Sequence, residues 1–355
     1  MTDLTHVVAD IDEIVSRLAD VAEIFKEREF LVTGAAGFLG RHLVLALKRL
    51  GARTVNAVDN MVTASRLGEE FAASFEDDAV VLFQKCDVAT PLPYFIQSVA
   101  DYNFIIHAAA LTSPFWYRKH PLETLDASIA GTRYMLEQAR RSGARFLLTS
   151  TSEIYGDPPD AFVPTPETYR GYVDTLGARS VYDEGKRLAE TLCYAYRSAY
   201  NVDSVIVRIF NAYGPGMAET DYRAAPNFAA RLKAGKPLQV YQTGKQTRTF
   251  SYVTDIVVGI LQALAKGKSG EAYNLGSPGP EITILDLAER MGELAARRPQ
   301  IEIVPHPESY PGDEPQRRCP SIEKARTHFG FNPIVSLDDG LRRFIRWSEE
   351  NYGHR

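Results

Sequence analysis

The sequence predicts an α/β protein, a doubly wound parallel sheet followed by a smaller C-terminal α/β region. Three observations carry this. A short apolar run, Phe30-Leu31-Val32-Thr33, leads directly into glycines at 34, 37 and 40. Strand-length apolar runs then alternate with helix-length amphipathic stretches to about residue 210, the pattern of repeated β-then-α units. Beyond Asn211 the strands shorten and mix with helices, which marks a different packing problem.

Residues 1–29 precede the first strand and read as an acidic amphipathic helix. Val7, Val8, Ile11, Ile14, Val15, Leu18, Val21, Ile24 and Phe25 recur at helical spacing, so this extension should pack on the body or on a second subunit. The first strand then enters Gly34-Ala35-Ala36-Gly37-Phe38-Leu39-Gly40, followed by a helix over Arg41 to Leu50 that ends at Gly51. Such a turn lets backbone approach a pyrophosphate closely, and the helix N-terminus offers free N–H groups and the positive end of its dipole. The next strand, Thr54 to Val58, closes on Asp59, with Asn60 behind it. An acid at that distance from the glycines accepts hydrogen bonds from ribose hydroxyls and repels a 2′-phosphate, so the dinucleotide expected is NAD rather than NADP.

Val80 to Phe83 reads as a third strand ending near Cys86-Asp87-Val88, where Asp87 is placed to meet an adenine amino group. Phe104 to Ile106 is a fourth, emerging at His107-Ala108-Ala109-Ala110, whose small residues let a cofactor lie close. Arg145 to Thr149 and Ser204 to Arg208 are the fifth and sixth, with helices near 121–142 and 181–200 between them. In the second of these helices, Tyr182 and Lys186 fall one turn apart on one face. An ammonium there can hold the phenol near ionisation, giving a base for an alcohol proton.

The remainder should hold strands at Leu238 to Tyr241, Thr247 to Tyr252 and Ile301 to Val304, helices near 225–234, 283–296 and 336–350, and a Pro-rich loop over 305–320. The expected organisation is an N-terminal extension (1–29), a Rossmann-type NAD-binding domain (30–210, with a return segment near 253–276) and a mainly substrate-binding region (211–355).

The chain of 355 residues has a net charge of −5, which argues against general nucleic-acid binding. No apolar run reaches membrane-spanning length, and the N-terminus lacks a basic-then-apolar leader pattern. Cys86, Cys193 and Cys319 are scattered without metal-ligand spacing, so neither a metal nor disulfides are expected, and a reducing, cytoplasmic setting fits.

With the glycine turn, Tyr182 and Lys186 in place, the chain resembles the extended short-chain dehydrogenase/reductases that act on nucleotide sugars. The likeness tightens at Ser150-Thr151-Ser152-Glu153-Ile154-Tyr155-Gly156, at Gly177 to Glu190 and at Arg208-Ile209-Phe210-Asn211-Ala212-Tyr213-Gly214-Pro215. Within the family these stretches are similar to the UDP-glucuronate decarboxylase branch. The resemblance implies that Tyr182, Lys186 and Thr151 act at sugar C4, and that Glu153 positions the ring or a water. It implies that Arg318 faces the sugar carboxylate, with Ser152, Asn211, Tyr241 and Arg248 also contacting substrate. Arg248 would take the diphosphate, Asn211 a phosphate, and Tyr241 would pack beside the uracil. A homodimer formed through the 121–142 and 181–200 helices is also implied. UDP-sugar 4-epimerases, GDP- or dTDP-hexose 4,6-dehydratases and a non-catalytic NAD-binding regulator remain alternatives. Two departures stand out: Gly216 replaces a family arginine, and Phe115-Trp116-Tyr117 brings bulky aromatics to a loop that should border the sugar, as a substrate wall or a packing cluster.

Overall fold

Seven parallel strands form the main sheet in the order β3-β2-β1-β4-β5-β6-β11. They are β1 (Glu29–Thr33), β2 (Thr54–Asp59), β3 (Val81–Lys85), β4 (Phe104–His107), β5 (Arg145–Thr151), β6 (Ser204–Ile209) and β11 (Ala272–Leu275). The computed structural model describes residues 5–91, 93, 96, 101–306 and 314–353. Connections leave β1 in one direction and β4 in the other, so a crevice opens between the carboxyl ends of those two strands, the usual ligand position in such sheets.

Alternation along the strands explains why helices cover both faces. Phe30, Val32, Val55, Ala57 and Ile106 point into one apolar layer, and Leu31, Val58, Ile105, Phe146 and Leu148 into the other. Helices Phe38–Arg49 and Val253–Lys266 pack in the first layer, and Thr132–Ser142 and Ser180–Tyr200 in the second. β11 adds to the edge of β6, register Ala272 with Ile206 through Leu275 with Ile209. This seventh strand was not among those expected.

The smaller region holds three two- and three-stranded sheets. β7 (Ala212–Tyr213) pairs with β10 (Ser251–Tyr252), β8 (Leu238–Tyr241) with β13 (Ile301–Val304), and β9 (Thr247–Arg248) with β12 (Ile282–Thr283) and β14 (Arg317–Arg318). The strand expected over Thr247 to Tyr252 is therefore two, broken at Thr249-Phe250, because its halves serve different sheets. The stretch expected as a loop over 305–320 contributes β14, and its residues 307–313 lie outside the described residues. The helix after the glycine turn starts earlier than expected, at Phe38, since Gly37 takes an extended N-cap conformation.

The N-terminal extension packs on the body as helix Thr5–Arg17 followed by a short turn of helix at Ala22–Phe25. Ile11, Ile14, Leu18, Val21 and Phe25 are buried, each worth about 1.5–3 kcal/mol against exposure. Polar ties fix its register: the Tyr252 hydroxyl donates to both Asp10 carboxylate oxygens, at 3.1 and 3.0 Å, and Arg17 pairs with Asp255 at 2.8 Å. Among the described residues, no helix is long and apolar enough to cross a membrane.

Candidate active site

The crevice at the β1/β4 switch widens into a cavity of about 630 Å³ that reaches into the smaller region. At its sheet end the glycines make room. A Cβ on Gly34, whose φ is +68°, would sit 2.7 Å from the Ala108 backbone, and one on Gly40 only 2.0 Å from the Gly34 carbonyl oxygen. Gly37 caps helix Phe38–Arg49 without a side chain, leaving its first amides for a ligand. Asp59 lines the same end, its carboxylate accepting N–H groups from Ala36 (3.0 Å) and Met61 (2.8 Å). Burial pushes the Asp59 carboxyl above its usual range, opposed by those hydrogen bonds and by Arg41. Phe38, Leu39, Asn60, Val88 and Ala108 to Ala110 complete this wall. A close-approach glycine cradle, free helix amides and an acid at the end of β2 fit a dinucleotide.

At the centre, β5 delivers Thr149 to Thr151 and the following turn delivers Ser152 and Glu153, while helix Ser180–Tyr200 presents Tyr182 and Lys186. Tyr182 is buried, with its hydroxyl hydrogen-bonded to Thr151, and burial pushes it up to about 12; Thr151 and nearby Arg223 pull it down and Asp183 raises it. Lys186 does not touch the phenol through a hydrogen bond. Its ammonium donates to the Thr149 carbonyl at 2.9 Å, and burial lowers it to about 8, against a raising influence from Glu190. Tyr117 lies flat against Tyr182, ring centroids 5.5 Å apart and planes 7° from parallel, and lines the same cavity as Arg318. Phe115, Trp116 and Tyr117, on the short helix Pro114–Lys119, all line the cavity, so the aromatic segment borders the ligand space.

The far end is a chain of ions. Arg318 binds Glu153 with both Nη1 and Nη2, and Arg179 Nη2 donates to the same carboxylate. Arg179 Nη1 donates to Glu314 at 3.0 Å, and Glu314 accepts from Arg248 Nη2 at 2.7 Å. Arg248 and Arg318 are register partners on parallel β9 and β14, so both point inward, while Thr247 and Arg317 turn away to Glu281.

Every residue singled out from the sequence lines this cavity except Asp87, which is exposed and accepts the Ala89 N–H. Asn211 donates to the Thr249 carbonyl at 2.9 Å, and Tyr241 stacks on His306 with centroids 5.3 Å apart. Sequence reasoning missed Arg179, Glu314 and Arg223, and it named Tyr117 only within the aromatic segment, not as a partner of Tyr182. Arg179 alone carried a signal, standing one turn before Asp183 and within the stretch that holds Tyr182. Gly216, at the family's arginine position, has φ +93°, and the buried Arg41 donates to its carbonyl.

Comparison with known proteins agrees with this picture. A family model described as "NAD dependent epimerase/dehydratase family" matches residues 30–276. UDP-glucuronic acid decarboxylase 2 of Arabidopsis thaliana is 42% identical over 316 residues, 89% of this chain and 67% of its own length. Among solved structures, the UDP-glucuronic acid 4-epimerase of Bacillus cereus, in complex with UDP-glucuronic acid and NAD, superposes with a TM-score of 0.79 at 27% identity, covering 91% of this chain and 100% of that one. The dTDP-glucose 4,6-dehydratase DesIV of Streptomyces venezuelae, with NAD bound, gives 0.81 at 26% identity, over 92% and 98% of the two chains.

Proposed function

Because the chain belongs to the NAD-dependent epimerase/dehydratase family, we propose that it binds NAD and a UDP-sugar and decarboxylates UDP-glucuronate to UDP-xylose or its 4-keto form. The observation that carries this reading is the buried Arg318, paired with the half-buried Glu153, standing in one cavity with Tyr182 and Thr151. A guanidinium buried beside the phenol can pass from Glu153 to a sugar carboxylate that displaces it, which supports a uronate substrate.

In this reading residues 30–210, with the return segment 253–276, hold the dinucleotide, and 211–355 mainly hold the nucleotide sugar. Gly34, Gly37 and the first amides of helix Phe38–Arg49 hold the pyrophosphate, and Asp59 the adenosine ribose. NAD supplies one thing, acceptance of a hydride from sugar C4 and its later return. Tyr182 takes the proton of the 4-hydroxyl, with Thr151 fixing that oxygen, the charge of Arg223 favouring the phenolate, and Lys186 held one turn away on the Thr149 carbonyl. Once C4 is a ketone, the C6 carboxylate is β to it. Its carbon–carbon bond can break, releasing CO₂ and leaving the electron pair as an enolate on the sugar. Arg318 orients the carboxylate, Glu153 positions the ring or a water, and protonation at C5 closes the step. Leu122, Tyr134, Leu188 and Tyr194, exposed on neighbouring helices, support a homodimer through that face.

Incubation of the purified protein with NAD and UDP-glucuronate, followed by mass spectrometry of the nucleotide products and capture of CO₂, tests this. Gas with a UDP-pentose or UDP-4-keto-pentose is expected. UDP-galacturonate without gas would identify a 4-epimerase, and a 4-keto-6-deoxy product from GDP-mannose or dTDP-glucose a dehydratase.

A further inference from the structure

Glu314 stands where a ligand's anionic group would stand. Its two carboxylate oxygens are divided between Arg248 (2.7 Å) and Arg179 (3.0 Å), both of which are buried. Arg179 in turn reaches Glu153, and Glu153 reaches Arg318, so positive and negative groups alternate from one end of the cleft to the other. Buried guanidiniums need such partners, since an unpaired charge out of water is costly. An arriving diphosphate must therefore compete with Glu314 for Arg248.

We propose that Glu314 is a positioning residue that occupies Arg248 in the free enzyme. When the diphosphate displaces it, Glu314 places its charge wholly on Arg179, fixing the arginine that holds Glu153. The inference rests on the reading above, in which Arg248 takes the diphosphate. It has an unusual sign: deleting a side chain from the cleft should tighten ground-state binding while slowing turnover. Without that carboxylate Arg248 meets the ligand unneutralised, but Arg179 loses its Nη1 partner and keeps the longer contact to Asp183 (3.9 Å) beside Glu153, and the Glu153–Arg318 geometry slackens.

The test is calorimetric titration of UDP into the full-length wild type and into Glu314→Gln, Glu314→Ala and Glu314→Asp, followed by steady-state decarboxylation of UDP-glucuronate. Loss of a charge competing for one charge-assisted hydrogen bond should tighten UDP on the order of tenfold in the Gln and Ala variants. KM and kcat should fall together, and the Asp variant should return toward wild type. UDP affinity unchanged or weaker in a Gln or Ala variant that melts with the wild type would overturn the proposal. So would recovery of full kcat without a carboxylate at this position. Product identity decides the decarboxylation reading separately, because UDP binding is scored whether or not CO₂ appears.

Discussion

Replacing Lys186 with methionine should yield a more stable protein that no longer turns over. The ammonium is buried, 2% exposed, and burial holds it at about 8 instead of the ordinary 10.5, with Glu190 and Cys193 pulling it back up. That difference is a penalty of roughly 3 kcal/mol on the charged form at neutral pH. The hydrogen bond to the Thr149 carbonyl, lost in the variant, offsets about 1 kcal/mol. A net gain of about 2 kcal/mol is left for an apolar side chain of similar length. The pH dependence has a defined sign. Below pH 8 folded and unfolded chains both carry the proton, and the penalty is fully present. Between about 8 and 10.5 the unfolded chain binds more protons, so wild-type stability rises with pH; above 10.5 this penalty is gone. Urea unfolding of both proteins at pH 7 and pH 10 measures it, as a gap that narrows as pH rises. Equal stability at pH 7, or a gap independent of pH, would refute the reasoning.

Tyr182→Phe should lower kcat by roughly 10²–10⁴-fold while NAD affinity by titration stays within a few-fold, since only the proton acceptor is removed. Glu153→Gln should keep reversible chemistry at C4, visible as exchange of a C4 label, and lose most CO₂ release, because Arg318 and Arg179 both lose a carboxylate. Gly40→Ala should abolish NAD binding as read by fluorescence titration, its Cβ having no place 2.0 Å from the Gly34 oxygen. Tyr194→Asp should weaken the proposed homodimer, read as a shift toward monomer in sedimentation, Tyr194 being 72% exposed on the helix that carries Tyr182.

Much of the fold was legible because it is written locally. β1 to β6 are apolar runs bounded by glycines, acids or small residues, and the spacing of Gly34, Gly37, Gly40 and Asp59 fixes a strand, a turn and a helix in order. Ala272–Leu275 escaped notice as a strand because four residues with an asparagine among them look like a loop until β6 offers an edge. The site was legible where residues stand on one element, as with Tyr182 and Lys186, though their spacing did not reveal that the ammonium bonds to β5 rather than to the phenol. The ion chain was not, because Glu153, Arg179, Arg248, Glu314 and Arg318 come from segments far apart that no periodicity links. Asp87, just past the end of β3, is exposed and outside the cavity lining between Cys86 and Val88, which both line it, a placement that depends on local backbone direction rather than on sequence position.

The pairing of Arg248 with Arg318 on a single rung of β9 and β14 works as a ruler. Adjacent strands lie about 4.8 Å apart, so the two guanidiniums start from anchor points whose separation the backbone dictates. A molecule engages both only if its two anionic groups span what these side chains can reach from there. Shortening or lengthening the segment before β14 by one residue would turn Arg317 inward and Arg318 outward, removing one of the two marks of the gauge and the partner of Glu153 together.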